Sequence, residues 1–555
     1  MSNQNEVYEY TFQLFAPYNN GAELIADFND WKPIEMEKGD DGFFRTTQKL
    51  ADGTYQYKFN IQSKSWFYEE NEVKTIADPY ATDIDQETQN SILKLKNGEK
   101  IVDEYVWRHD ETPLPNNTQI VIYEMHVGDF SGGEADGFTR GKYTDVIAKL
   151  DYLAELGINA IELMPLKESP GDFNWGYSPI HYFSPDSSYG STAELKELID
   201  KCHALGIRVI VDGVYNHANT DTPLTQIDHD YWFRKEGKDP EQNWGPEFDY
   251  DKHDENLNVM PARKFICDSI RYWIHEYRID GIRFDAAKQI DNFDVLGEFV
   301  RYSREMASMK PFFTVAEYIP PIPDITEPLG PVESCWNDSF MYILVDYLTG
   351  EGFNLEEIKN AVDAKRLGFE TGTSVTNYLA NHDQNRLFLK LGEKGILDEE
   401  AYLRAKLGAL ILMSAVGVPM LWMGEEFGEY VPMSEESNKI NWTLLENERN
   451  KDLFNYYKSL IALRKTNAAF FTPNVEFFHE DSENGVLAFR RFDDNANTAV
   501  VVLNLSDNDL ENYEIANFPA DGAWHEWTKN FDVEINENRF ISTLKRREGL
   551  IFVKS

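Results

Sequence analysis

Within Asp280-Gly281-Ile282-Arg283-Phe284-Asp285-Ala286-Ala287-Lys288, an arginine and an aspartate stand two residues apart in a β-branched and aromatic run. That spacing puts both on one face of a strand. An arginine beside a carboxylate in a dry site favours the ionised form, which suits an anionic nucleophile or a stabiliser of a cationic transition state. For this segment alone, a buried structural ion pair is the competing reading. Three more segments end in similar chemistry: Arg208 to Asp212 with Asn216-His217 beyond it, Phe312 to Glu317, and Tyr378 to His382-Asp383. Parallel strands closed into a barrel open their C-terminal ends on one face, so residues this far apart in sequence would converge there.

Two or three carboxylates, two histidines, an arginine and nearby aromatics on one face fit acid/base hydrolysis of a neutral polar substrate. No glycine-rich phosphate loop or Schiff-base lysine stands out, and His217 and His382 are too far apart in sequence to form a metal motif. Retaining glycoside hydrolysis asks for a nucleophile and an acid about 5–5.5 Å apart, and Asp285 and Glu317, ending consecutive strands, fit that spacing.

The elements that must position these groups alternate along the chain. Gln119 to Val127 reads as a strand, Val146 to Leu156 as an amphipathic helix ended by Gly157, and Ala160 to Pro165 as a strand again. The alternation continues through helices 192–205, 262–277, 293–306 and 399–415 to the strand 418–423 and the helix 453–463. About eight rounds of strand and helix predict a (β/α)8 TIM barrel over residues 113–466, with a polar insertion at about 218–258 rimming the site. Residues 1–112 and 467–555 show the period-two pattern of small β-sandwiches, one at each end. Trp31 and Trp66 could stack on sugar rings, but tryptophans of a small sandwich are expected in its core.

Charge narrows the partners. With 96 acidic against 53 basic residues the net charge is -43, which argues against nucleic acid or an anionic membrane. Three widely spaced cysteines, Cys202, Cys267 and Cys335, suggest neither a disulfide framework nor a zinc site. Met1 to Glu6 lacks the basic and apolar regions of a secretory signal, and a cytoplasmic location is the expectation.

Four short segments, in order along the chain, resemble the conserved regions of the α-amylase family of glycoside hydrolases. They are Asp212-Gly213-Val214-Tyr215-Asn216-His217, Gly281 to Lys288, Ala316-Glu317, and Asn381-His382-Asp383. Phe28-Asn29-Asp30-Trp31 and Asp78-Pro79-Tyr80-Ala81 also look like the family's glycogen-binding-type N-terminal sandwich. The resemblance implies that Asp285 is the nucleophile, Glu317 the general acid/base and Asp383 the carboxylate that holds substrate hydroxyls. It further implies that Arg283 holds Asp285 ionised and that His217, His382, Lys288 and Arg386 bind substrate. Tyr177, in Asn174-Trp175-Gly176-Tyr177, would stack on the sugar at the cleavage point. Asp212 reads as a buried supporting carboxylate beside Asn216, which matches a calcium ligand of many amylases. No cofactor is required on this reading; Asn216 leaves calcium open, while Gln289, standing where those proteins often carry histidine, and the short insertion after His217 count against it.

Within the family the residues are mixed. Asp285-Ala286-Ala287-Lys288 and Asn381 to Arg386 look like true α-amylases, whereas Val121 to Gly128 and the N-terminal sandwich look like branching enzymes, debranching enzymes and maltooligosyl-trehalose hydrolases. The expected function is cleavage of α-1,4-glucosidic bonds of starch, glycogen or maltodextrins, with an α-glucan as the partner. Branching, debranching and trehalose release are the alternatives, and a catalytically silent glucan-binding protein is the non-enzymatic one.

Overall fold

Runs such as Ile120-Val121-Ile122-Tyr123 and Val209-Ile210-Val211 are apolar on both faces, as strands buried between a barrel interior and a layer of helices must be. The computed structural model describes residues 6–133, 139–171, 175–239, 241–308, 310–434 and 438–554. Eight parallel strands close into one barrel in sequence order. They are Ile122–Met125 (β1), Ala160–Leu163 (β2), Arg208–Gly213 (β3), Gly281–Phe284 (β4), Phe313–Ala316 (β5), Ser334–Asn337 (β6), Val375–Asn377 (β7) and Val418–Trp422 (β8). The expected barrel is therefore present.

Register decides which side chains meet. Asp212 at the end of β3 stands beside Arg283 of β4, and Phe284 beside Ala316 of β5, so Asp285 and Glu317 leave their strands as neighbours. Across the closure, Glu124 of β1 lies between Glu162 of β2 and Trp422 of β8.

Helices enter and leave this frame through ordinary caps. Ser191 and Glu194 form a capping box at the start of Thr192–Ala204, and Gly206 takes a left-handed turn, φ 70°, that returns the chain to β3. The single helix expected before Gly157 is two short ones, Tyr143–Ile147 and Leu150–Leu156. Among the described residues, no helix is long and apolar enough to cross a membrane.

The N-terminal sandwich packs Phe12, Leu14, Leu24, Phe44, Phe59 and Leu93 between its two sheets, and Ile227 joins the same core. Ile227 comes from helix Pro223–Trp232 inside the 218–258 insertion, and its carbonyl accepts from Lys64 N and Asn19 Nδ2, both at 2.9 Å. The insertion thus joins the sandwich to the barrel as well as rimming the site. Trp31 and Trp66 depart from expectation: they are 38 % and 56 % exposed. Trp31 sits in a tight turn with φ 59°, and Trp66 in the loop between Gly53–Gln62 and Val73–Ile76, so neither points into the sheet interface. A second sandwich at the C-terminus is built on a six-stranded sheet around Val500, Val502, Trp524 and Phe552.

Candidate active site

Arg283 is the hub of the site. Its side chain is 1 % exposed and lies over the Trp336 ring, guanidinium carbon to centroid 4.2 Å. One nitrogen, Nη1, donates to Asp212 Oδ1 at 2.7 Å and to Asp285 Oδ1 at 2.9 Å, while Nη2 stands 3.1 Å from Glu317 Oε2. Three carboxylates from three consecutive strands thus share one planar cation, which fixes the separation of Asp285 and Glu317. Ala286, between them in the chain, has a left-handed backbone, φ 47°, that turns its N–H onto Glu317 Oε2 at 2.7 Å. Strain of this kind persists only where surrounding contacts hold it.

His382 forms the opposite wall. Its Nδ1 meets Glu124 Oε1 at 2.7 Å and its Nε2 faces Asp383 Oδ2 at 3.4 Å. The Tyr177 ring stacks on the imidazole at 5.0 Å, and the Tyr177 hydroxyl donates to Asp212 Oδ2 at 2.5 Å. Asp383 is the most open of the carboxylates, its side chain 45 % exposed at the mouth. Asp285, Ala286, Glu317, His382, Asp383, Tyr177, His217, Trp175 and Trp244 line one open cleft of about 470 Å³. The cleft brings together most of the side chains singled out from sequence. Asn174 lies outside the described residues.

Two expected sugar ligands point elsewhere. Lys288 is exposed and donates to Ile319 O at 2.8 Å, outside the cleft. Arg386 is fully buried against Trp422, its Nε bonded to Met423 O at 2.9 Å and its Nη1 to Val431 O and Asn438 Oδ1, both at 3.2 Å. With Nε and Nη1 donating to the chain around β8, Arg386 braces that loop. His217 lines the cleft, but its Nε2–H is given to Tyr177 O at 2.8 Å and burial holds its pKa below the ordinary value, so it is the neutral tautomer. Asn216 turns its amide to His217 Nδ1, 3.4 Å away. Among the described residues, no three His, Cys, Asp or Glu side chains gather as metal ligands would.

Three features escaped the sequence. Trp244, from the insertion, is 48 % exposed and faces His217 with ring centroids 5.8 Å apart; a lone tryptophan in a polar stretch was its only mark. Glu124 and Glu162, each 1 % exposed, occupy the barrel interior beneath the cleft. A charged residue inside a buried apolar strand was the available signal.

Asp285 departs from the expectation set by Arg283. Burial pushes its carboxyl upward, Arg283 pulls it back, and Glu317 and Asp212 push it up again, so the net position is well above the usual carboxylate range. A carboxyl that must be ionised to act then loses activity as pH falls through that raised value. The acid limb of kcat/KM is expected above about pH 4, where an ordinary carboxyl would place it. A limb at or below that value in a rate–pH profile would show that Arg283 outweighs burial after all.

Known proteins match this arrangement along most of the chain. A model described as the catalytic domain of alpha amylase fits residues 124–439, more than half of the chain. Carbohydrate-binding module 48 (isoamylase N-terminal domain) fits 2–81, and the alpha amylase C-terminal all-beta domain fits 478–549. A malto-oligosyltrehalose trehalohydrolase of Saccharolobus solfataricus is 27 % identical over 531 residues, covering 82 % of this chain and 85 % of its own. A 1,4-alpha-glucan branching enzyme, GlgB, of Oceanobacillus iheyensis is 26 % identical over 600 residues, covering 98 % and 90 %. The solved structure of pullulanase type I from Bacillus subtilis, complexed with maltose, superposes with a TM-score of 0.82 at 21 % identity, covering 99 % of this chain and 84 % of that one; it speaks for the fold alone. With barrel, flanking sandwiches and the matched catalytic domain in agreement, the chain belongs to the alpha-amylase family.

Proposed function

We propose that the protein cleaves α-1,4-glucosidic bonds of starch, glycogen or maltodextrins with retention, through a covalent glycosyl-enzyme on Asp285. The observation that supports this most is the single guanidinium of Arg283 shared by Asp212, Asp285 and Glu317 at the mouth of one cleft. Carboxylates held on two nitrogens of one group are close neighbours, as a retaining pair about 5–5.5 Å apart must be. In this reading Glu317 protonates the departing oxygen, Asp285 attacks the anomeric carbon, and Glu317 then takes a proton from the water that releases the sugar. Asp383 and His382 hold hydroxyls of the sugar being distorted, and Tyr177 and Trp244 supply apolar faces for its ring.

A second reading keeps the same glycosyl-enzyme but changes the bond cut or the acceptor. The trehalohydrolase and branching-enzyme relatives favour it. Product analysis separates the two: purified protein is incubated with amylose, a branched glucan, pullulan and a maltooligosyl-trehalose while reducing ends and linkage types are followed together. Reducing ends that rise with short maltooligosaccharides are the expected result. New α-1,6 linkages without reducing ends, maltotriose from pullulan, or free trehalose would replace it by the corresponding alternative.

A further inference from the structure

None of the steps above uses the two buried glutamates beneath the cleft. Glu124 and Glu162 are register partners on β1 and β2, and neighbouring strands lie about 4.8 Å apart. One oxygen of Glu124 meets His382 Nδ1 at 2.7 Å; the other, and both oxygens of Glu162, are buried without a hydrogen-bond partner. The imidazole is gripped on its remaining sides by Tyr177, stacked at 5.0 Å, and by Trp175, Trp336 and Trp422 with centroids at 5.6, 5.7 and 6.4 Å. It therefore cannot swing away from the Glu124-to-Asp383 axis.

We propose that Glu124 is a positioning residue whose carboxylate keeps His382 protonated on both ring nitrogens, with Nε2–H aimed at Asp383 and the sugar hydroxyls, while Glu162 carries the proton that lets Glu124 stay ionised. Two carboxylates this close in a dry interior do not both ionise, and the one with a cationic partner keeps the charge. Glu124 has that partner in direct contact, His382 Nδ1 at 2.7 Å, whereas Glu162 makes no hydrogen bond and lies by Glu124 and Asp212, with Arg283 and His382 further off and outweighed. The groups facing His382 are Glu124 from β1, Asp383 on its own loop and the hydroxyl of Tyr177, 3.4 Å from Nδ1, with Glu162 of β2 and Arg283 and Asp285 of the β4 end further off. Burial lowers the His382 pKa, but Asp383 and Glu124 outweigh both burial and Arg283 and bring it up to about 9. Burial, then Glu124 and Asp212, push the Glu162 carboxyl well above the ordinary range. An imidazolium donates a charge-assisted bond that a neutral ring cannot, so loss of its proton weakens the grip on Asp383 and substrate.

The inference rests on the cleft being the glucan site, so its test has one readout that needs no activity. Full-length protein carrying 13Cε1-labelled histidine is titrated by NMR, His382 being identified by the signal missing from His382→Gln. Glu124→Gln is expected to lower the His382 midpoint by more than one pH unit and to raise KM for a soluble glucan above the lowered midpoint, leaving the rate below that midpoint within about tenfold. Glu162→Gln, which keeps a neutral side chain, is expected to leave the midpoint and the pH dependence of KM in place. An unmoved His382 midpoint in Glu124→Gln overturns the proposal, as does a loss of rate equal at every pH. A midpoint displaced in Glu162→Gln overturns the assignment of the proton to Glu162. Should Glu124→Gln not fold, Glu124→Asp, which withdraws the carboxylate from Nδ1 but keeps its charge, is expected to lower the midpoint by less than one unit; no change there overturns it too. A wild-type protein without glucan activity would reject the functional reading while the NMR midpoints still decide this one.

Discussion

Asp285→Asn is expected to reduce turnover by about 10^4-fold or more, because the amide cannot form the glycosyl ester on which both half-reactions depend. That factor corresponds to roughly 5.5 kcal/mol of transition-state stabilisation. The same change is expected to leave the melting temperature at neutral pH unchanged or higher. A carboxyl whose folded pKa is raised holds its proton more tightly in the native state than in the unfolded one. Stability from it is present at low pH and declines as pH rises from the unfolded value to the folded value. At neutral pH Asp285 is therefore a cost to the fold, and the isosteric amide removes it while still accepting from Arg283. The gain should shrink toward about pH 4, where both states bind the proton. Thermal melts across that range, beside turnover on a soluble glucan, test both halves: retained turnover removes Asp285 from the nucleophile's place, and a large drop in melting temperature makes it a structural partner of Arg283.

How much of this was legible beforehand follows from where the physics is local. Barrel strands announce themselves because a strand covered on both faces is largely apolar, and Asp285 and Glu317 each directly follow such a run. Which side chains then converge depends on closure, and no pattern within β1 tells that Glu124 will lie under His382 of a loop 258 residues away. Lys288 and Arg386 show the complementary limit of a motif. Their place in a motif says where the backbone goes, but a long cationic side chain takes whichever carbonyls the finished fold offers, here Ile319 for one and Met423 and Val431 for the other. Trp31 and Trp66 fail for a related reason: burial belongs to the strand face, and both residues sit on connections. The Asp285 carboxyl was judged from one neighbour, Arg283, when the sum over burial, Glu317 and Asp212 decides the sign.

Glu317→Gln is expected to cost about 10²–10⁴-fold on natural glucans, where the departing sugar hydroxyl must be protonated as the bond breaks. The glutamine still accepts from Ala286 N and faces Arg283 Nη2, so the site should keep its shape. What it lacks is a proton to give. A substrate with an activated leaving group, such as an α-glucosyl fluoride, needs no such proton, and the loss in forming the glycosyl-enzyme should fall to about tenfold or less. Release of the enzyme by water still needs a base, so the intermediate on Asp285 should accumulate and be visible as a mass increase on the intact chain. External azide, which attacks without base assistance, should then restore turnover and yield the α-azide, the anomer retained. The set is discriminating because each alternative fails differently. If Glu317 only neutralised Arg283, natural and activated substrates would suffer alike; if the enzyme inverted, the mass increase would be absent and azide would yield the opposite anomer.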